Sequence, residues 1–546
     1  QTKRLGYLAD TTSLRILVAH TQQQMLRNLV SLAPDHRILF YEHLLLPYFD
    51  LYHSLLAGKY LNQFIDLRDA VMQQSLGLKN LMINNLGMLI GTETDPERIQ
   101  SYQAINRING RVLGIETESL MQANSTKYLH ASTVRGNAEE FLYTSFDRSF
   151  RDSLFKLIRI DQIFKRLSPG DRYVEFVRYA DRFRGDTISY LSIELNPETQ
   201  AAVVRPLFTE RDLLATAIQS IQFASDNGSG QRALRGLGIE ESFESIRRED
   251  TLGHFLIRHL PPLLLAKRFI FVPDGLLNRI SFSSLKYKGN YLFEKVQLKQ
   301  LSASGQWLIS APIADSLHIL FAGGIRYERE NCTPDTLNRY LAKDFSWSYL
   351  PGSAEEVKRL SAIFRSNTKF RTRAVQSVTD SIDLKPYTYL HFATHGFYFN
   401  ADEVDQTISD EYFLDYIREA PLTRCGLVID QANCTGLDGY LMGYKLAAMD
   451  LNRCRLITLS ACETALGEIK SNQGVLGIQR ALKIAGVRKM LITLWKIPDL
   501  ETVEFMELFY QRILVGDTEE TALQKTQSVM CKKYPVRVWG AFVLIE

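Results

Sequence analysis

Leu390-His391-Phe392-Ala393-Thr394-His395-Gly396 and Leu456-Ile457-Thr458-Leu459-Ser460-Ala461-Cys462-Glu463-Thr464 decide how this chain reads. Each is a short apolar, aromatic or β-branched run that stops at a reactive side chain beside small residues. Continuous runs of this kind read as strands buried on both faces, as in a parallel sheet covered by helices. In open α/β sheets, ligands bind outside the carboxyl ends of the strands. His395 and Cys462 both belong at that edge, where an imidazole and a thiol can act as base and nucleophile. Gly396 has no side chain to keep a substrate carbonyl away, so the N–H groups of Gly396 and Cys462 are the expected oxyanion donors. His391 lies inside the first run, shares a face with His395 by the two-residue period, and is expected to pack. The expected chemistry is that of a cysteine peptidase. His395 takes the thiol proton, Cys462 attacks the carbonyl, and His395 then protonates the leaving amine.

Outward from these runs, strands and helices alternate. Strands are expected at 317–324, 387–394, 427–430, 456–459, 489–494 and 539–545, and helices at 354–365, 443–449, 475–485 and 499–514. That order predicts an α/β fold, a mostly parallel sheet with flanking helices. Gly486 falls where a helix C′ glycine belongs, and 467–474 reads as a mobile polar loop beside the site. Upstream, strands at 173–179, 188–195, 201–207 and 269–272, with helices at 210–223 and 240–265, form a second α/β unit. Residues 1–165 read as helical, with apolar residues at three- and four-residue steps. Asp95-Pro96 starts a helix that Asn109-Gly110 closes. No clean 34-residue period marks a repeat. The expected division is 1–165, 166–312 and 313–546.

The bulk numbers exclude several classes. With 45% hydrophobic and 23% charged residues, the 546-residue chain has the composition of an ordinary globular protein. A net charge of +3 gives no electrostatic reason to expect nucleic acid or a membrane surface. Six cysteines, none in a Cys-x-x-Cys pair, suggest neither a disulfide framework nor a zinc site, and favour a reducing, cytoplasmic compartment. His391 and His395, four apart on a strand, would stand more than about 10 Å apart, too far to share a metal. No Gly-x-x-x-x-Gly-Lys loop occurs, and no cofactor is expected. The apolar stretch 44–56 is interrupted by Pro47, Asp50 and His53, so no membrane span is expected. No apolar segment follows Gln1-Thr2-Lys3-Arg4 as a signal peptide requires. The chain opens on Gln rather than Met, so an upstream portion is expected.

Further motifs carry a family resemblance. They are Val272-Pro273-Asp274-Gly275-Leu276-Leu277-Asn278-Arg279-Ile280-Ser281-Phe282, the segment 391–396, and 422–430 with Leu437-Asp438-Gly439-Tyr440-Leu441. The segments 459–467 and 474–481, Leu494-Trp495-Lys496-Ile497-Pro498-Asp499 and Trp539-Gly540-Ala541-Phe542 continue it. With these residues the chain resembles the CHAT peptidases, caspase-like enzymes often fused to tetratricopeptide repeats and related in fold to separase and the caspases. The resemblance implies a cysteine endopeptidase whose His-Cys dyad falls on His395 and Cys462. It implies a caspase-like unit without catalytic residues at 166–312. It also implies tetratricopeptide-like N-terminal helices that sense an activating protein partner, and a protein substrate encoded nearby in an antiviral or cell-death system. Lys445 stands where the family often has Glu. Ser460 stands where caspases place a pocket Gln, and no Arg pair for an acidic substrate residue is evident. Asp430, Ser460 and Asp499 are therefore the candidate specificity pocket, acidic and suited to Arg or Lys. The alternative is a caspase-like scaffold that has lost activity.

Overall fold

The computed structural model describes residues 11–25, 37, 39–62, 64–83, 160–217, 251–260, 266–308, 317–328, 346–365, 370–379, 381–399, 420–434, 439–460, 467–470, 474–495 and 497–546. Runs of buried β-formers lie side by side in one eleven-stranded sheet. Its strands are β1 (Asp171–Asp181), β2 (Thr187–Asn196), β3 (Ala201–Thr209), β4 (Arg268–Val272), β5 (Gln297–Gln300) and β6 (Leu317–Gly323). They continue with β7 (Phe370–Val375), β8 (Tyr389–Ala393), β9 (Leu456–Leu459), β10 (Lys489–Thr493) and β11 (Phe542–Ile545). The spatial order is β3-β2-β1-β4-β5-β11-β10-β9-β8-β6-β7. Pairing is antiparallel only at β1–β2, β2–β3 and β10–β11. The fold is the expected mixed α/β one with a mostly parallel sheet. The sheet runs without a break across residue 312, because β5 pairs with β11 through Gln300 and Ile545.

Alternation along these apolar strands fills two separate cores. Leu320, Leu390, Phe392, Ile457 and Leu459 point to one face, while Ile319, Phe321, Tyr389 and Leu456 point to the other. The second face is covered by helices α4 (Pro351–Phe364), α6 (Asp499–Leu514) and α7 (Glu519–Met530). The first carries a small antiparallel sheet of 396–398, 425–428 and 440–442, and helix α5 (Ile478–Ile484). The strand expected at 427–430 is thus real but lies outside the main sheet. Its short partners, 396–398 and 440–442, draw it into a layer of its own. The expected loop 467–474 is likewise corrected: 467–470 and 474–477 pair as an antiparallel hairpin. Strands β5 and β7 were not anticipated. Gly486 takes φ +99° at the end of α5, as a C′ glycine should.

The N-terminal helices α1 (Thr11–Gln24), α2 (Leu46–Ala57) and α3 (Ile65–Ile83) pack on Val177, Tyr179, Leu191 and Ile193 of β1 and β2. The Nζ of Lys79, on α3, lies buried 3.4 Å from Glu175 and 3.8 Å from Asp274. Burial pushes the Glu175 carboxyl up, and the Lys79 ammonium opposes that shift. Asp274, from the Val272–Phe282 motif, also accepts from the backbone N–H groups of Gly275 (2.9 Å) and Arg178 (2.8 Å). Gly275 sits at φ +52°, and a Cβ there would meet the Tyr190 hydroxyl at 2.4 Å. That motif is a buried anchor between the helices and the sheet. The helix expected to start at Asp95-Pro96 lies outside the described residues. Among the described residues, no helix is long and apolar enough to cross a membrane.

Candidate active site

β8 and β9 are parallel neighbours, with Phe392 opposite Leu459, and Ser460 N–H donates to Phe392 O at 2.9 Å. Counting on from that pair, His395 and Cys462 each follow three residues later. Cys462 itself lies outside the described residues, as do Ala461 and Glu463.

β8 ends at Ala393, and the chain bends before His395. The expected shared face with His391 is therefore lost. His391 packs against Phe321 and Tyr510 on the helical face. The His395 ring lies between Tyr327 and Trp347 on the opposite side, with centroids 5.3 and 5.2 Å away. His395 Nε2 is 2.8 Å from the Ser348 carbonyl oxygen. A carbonyl can only accept, so in the neutral ring Nε2 carries the proton and Nδ1 is the basic nitrogen. Tyr327 supports the turn from below. Its hydroxyl donates to Thr394 Oγ1 (2.8 Å), which donates to Val428 O (2.6 Å). Burial raises the Tyr327 phenol to about 12, so it stays a donor at neutral pH.

Gly396 opens the edge strand of the small sheet. Val428 N–H donates to His395 O (2.8 Å) and Phe399 N–H to Arg424 O (2.9 Å). Those two pairs make 396/427 a non-hydrogen-bonded pair, so the Gly396 N–H points away from its strand partner. That is the direction an oxyanion donor on this edge needs.

The three expected specificity residues separate. Ser460 and Asp499 line one cleft together with Leu350, Ser353 and Glu356; it encloses about 460 Å³, part of it open to solvent. Leu350 lies two residues beyond the carbonyl that holds His395. Asp430 is not in that lining; its carboxylate accepts from Ser377 Oγ (3.0 Å) and Gln431 Nε2 (3.3 Å). Asp499 is the first residue of α6, where its charge suits the helix dipole.

Glu356 on α4 is the residue that sequence reading missed. It is 3% exposed, and Ser460 Oγ donates to its Oε2 at 3.0 Å. Its Oε1 lies 3.1 Å from His391 Nε2, at ion-pair distance but out of line for a hydrogen bond. His391 Nδ1 is 3.3 Å from the Tyr510 hydroxyl, itself 3.0 Å from Thr458 Oγ1. A signal for Glu356 was available. Ser353, Glu356, Val357, Leu360 and Phe364 are the buried face of α4, so an acid stands at an apolar helical position.

The cysteine reading also needs correction. Cys434 is disulfide-bonded, which sparse cysteines without a Cys-x-x-Cys pair did not suggest, while Cys425, Cys454 and Cys531 form no disulfide. Cys434 belongs to the turn after 425–428, where neighbouring Asn433 accepts from Trp347 N–H (2.9 Å). Among the described residues, no group of three or more His, Cys, Asp or Glu gathers as a metal site would.

Comparison with known proteins agrees with the motif reading. No curated protein matches the chain. Similar solved structures include two of the Saccharomyces cerevisiae separase–securin complex. One is 9% identical with a TM-score of 0.42, covering 97% of this chain and 40% of that one. The other is 8% identical with a TM-score of 0.39, covering 77% of this chain and 34% of that one. The chain therefore spans well under half the length of those separase chains. The CHAT domain model matches residues 250–546, which is 297 of 546 positions. This chain belongs to the CHAT-domain family.

Proposed function

We propose that this chain is a cysteine endopeptidase acting through His395 and Cys462. The observation that carries the reading is the register of β8 and β9. In sequence, His395 and Cys462 each come three residues after Phe392 and Leu459, which pair on adjacent parallel strands. The Ser348 carbonyl orients the imidazole in the role that a third residue fills in a triad. His395 Nδ1 takes the thiol proton as Cys462 Sγ attacks the scissile carbonyl, and the oxyanion is met by the N–H groups of Gly396 and Cys462. The imidazolium returns its proton to the leaving amine, and water then hydrolyses the thioester. Ser460 and Asp499, grouped with Glu356, are the specificity side of the site and favour a basic substrate residue.

The proposal extends to organisation and biology. Residues 1–165 act as a tetratricopeptide-like sensor of a protein partner. The unit 166–312 is a non-catalytic caspase-like partner of the catalytic unit 313–546, and the substrate is a protein of a bacterial defence or cell-death system. In a cytoplasmic, reducing setting the Cys434 disulfide would open. An electrophilic peptide ketone should label Cys462, and Cys462→Ala should abolish both labelling and cleavage while the protein still melts cooperatively. An unlabelled Cys462 in the presence of the activating partner would instead make the chain a scaffold.

A further inference from the structure

Tyr327 and Trp347 wall the slot that holds the His395 ring, and one residue is bonded to both of them. Asn433 N–H donates to Tyr327 O at 2.9 Å. Its side-chain amide closes on Trp347, with Oδ1 accepting from Trp347 N–H (2.9 Å) and Nδ2 donating to Trp347 O (3.1 Å). A backbone N–H can only donate and a carbonyl can only accept, so these partners allow the amide a single orientation. Nδ2 also donates to Glu328 Oε1 at 3.2 Å. The indole is tied to the same turn. Trp347 Nε1 donates to the Tyr440 hydroxyl (3.0 Å), which donates to Ala432 O (3.1 Å).

Residues 346–350 form neither helix nor strand, yet they carry the Ser348 carbonyl that meets His395 Nε2. An irregular segment has no ladder to set the direction of its carbonyls. By pairing with both the N–H and the C=O of Trp347, the Asn433 amide imitates a neighbouring strand and fixes the peptide planes on either side of that residue. Ser348 follows directly. The turn that carries Asn433 is itself anchored, because Gln431 N–H donates to Arg326 O (2.9 Å) and Asp430 N–H to Val378 O (3.0 Å). An Asn that only shapes a turn bonds its own backbone two residues on. This one reaches a residue 86 positions away.

We infer that Asn433 is a positioning residue for His395. It holds Tyr327 and Trp347 at a fixed spacing around the imidazole and aims the Ser348 carbonyl at Nε2. Its catalytic meaning rests on the peptidase reading, while its geometry concerns His395 alone.

The His395 Cε1–H proton lies in the ring currents of Tyr327 and Trp347, so its resonance in the full chain, labelled with carbon-13 histidine, reports the slot directly. His395→Ala assigns the signal, and the rest of the chain's 10 histidines are internal controls. Trp347→Ala sets the full displacement. Asn433→Ala should move the His395 signal by at least half of that, with the control signals in place. Asn433→Asp has the same shape but turns a second oxygen on Trp347 O and Glu328, and should move the signal as far. Glu328→Gln keeps both bonds to Trp347 and should leave it unmoved. Labelling of Cys462 by a peptide ketone gives the chemical counterpart. In Asn433→Ala its maximal rate should fall about tenfold, the scale of one or two lost hydrogen bonds, with the half-saturating ketone concentration within about twofold. A mere loss of folded protein would instead lower the amount labelled and not the rate.

Melting curves identify a variant that fails to fold, and Asn433→Asp, equal in volume, carries the test if Asn433→Ala does so. A folded Asn433→Ala protein with a native His395 signal overturns the inference. So does an Asn433→Asp protein that behaves as native, which would reduce Asn433 to filling space. If His395→Ala labels Cys462 as fast as the native chain does, the peptidase reading fails and the positioning role falls with it. Labelling that needs His395, beside a His395 signal indifferent to Asn433, sinks the positioning role alone.

Discussion

The two ends of β8, β9 and β10 are built on opposite principles. At their amino ends, Glu519 and Glu520 at the start of α7 are clamped by cations. Arg455 and Lys489 reach Glu519 at 2.5 and 2.9 Å, and Lys489 and Lys299 reach Glu520 at 2.9 and 3.1 Å. Lys299 also pairs with Glu546, and the Tyr389 hydroxyl donates to Glu519. Among the described residues, no such clamp stands at their carboxyl ends. His395 is held by one carbonyl and two aromatic rings, and Glu356 meets one hydroxyl and one imidazole. Among the described residues, carboxylates at the amino ends meet cations, whereas Glu356 at the carboxyl ends meets a hydroxyl and an imidazole. The lesson is that stability and chemistry are separable along one set of strands.

That separation can be broken from either end. His395→Ala should lower peptide cleavage by about 10²–10⁴-fold, the range for removing a general base, with the melting temperature unmoved. A parallel fall in stability would show that the chemical end also holds the fold. Glu519→Ala removes a fully buried carboxylate from two partly exposed cations, Lys489 and Arg455, and should cost about 3 kcal/mol in denaturant titration, while activity per folded molecule persists.

Acid sharpens the same contrast. Burial alone would raise the Glu520 carboxyl, but the Lys489 and Lys299 ammoniums hold it at about 2, against 4.5 when unfolded. A carboxylate depressed on folding stabilises above its unfolded value, and that stability is lost as pH falls through 4.5 towards 2. Between pH 6 and pH 3 the loss should be about 2 kcal/mol, read by denaturant titration, and should vanish in Glu520→Gln. Tyr327→Phe is the gentlest test. It removes the donor to Thr394 below His395, costing about 1 kcal/mol, and should reduce turnover about fivefold without altering the acid response.

What the sequence made legible follows from burial. β8, β9 and β10 read clearly because both their faces are covered, so all their positions but His391 and Lys489 are apolar or β-branched. β7, Phe370-Arg371-Thr372-Arg373-Ala374-Val375, was missed because it is an edge strand whose middle four residues are exposed. β5, Gln297-Leu298-Lys299-Gln300, was missed because it is short and its lysine serves the charge clamp. Of the candidate site, His395 and Gly396 were legible because they come just after β8, and Ser460 and Asp499 because they follow strands of the main sheet. Asp430 also follows a strand, but that strand belongs to the small sheet, which carries it to Ser377 instead. Ser348, Trp347 and Tyr327 hold His395 from segments whose local pattern says nothing about it. Only folding brings them there.

The eleven-stranded sheet has a mechanical corollary. β5 is flanked by β4 on one side and β11 on the other, so the chain's last strand is stitched to a segment more than two hundred residues earlier. A single protease nick between β5 and β6 would therefore sever the polypeptide without parting the halves. The two pieces should elute from a sizing column as one particle and fall apart only in denaturant.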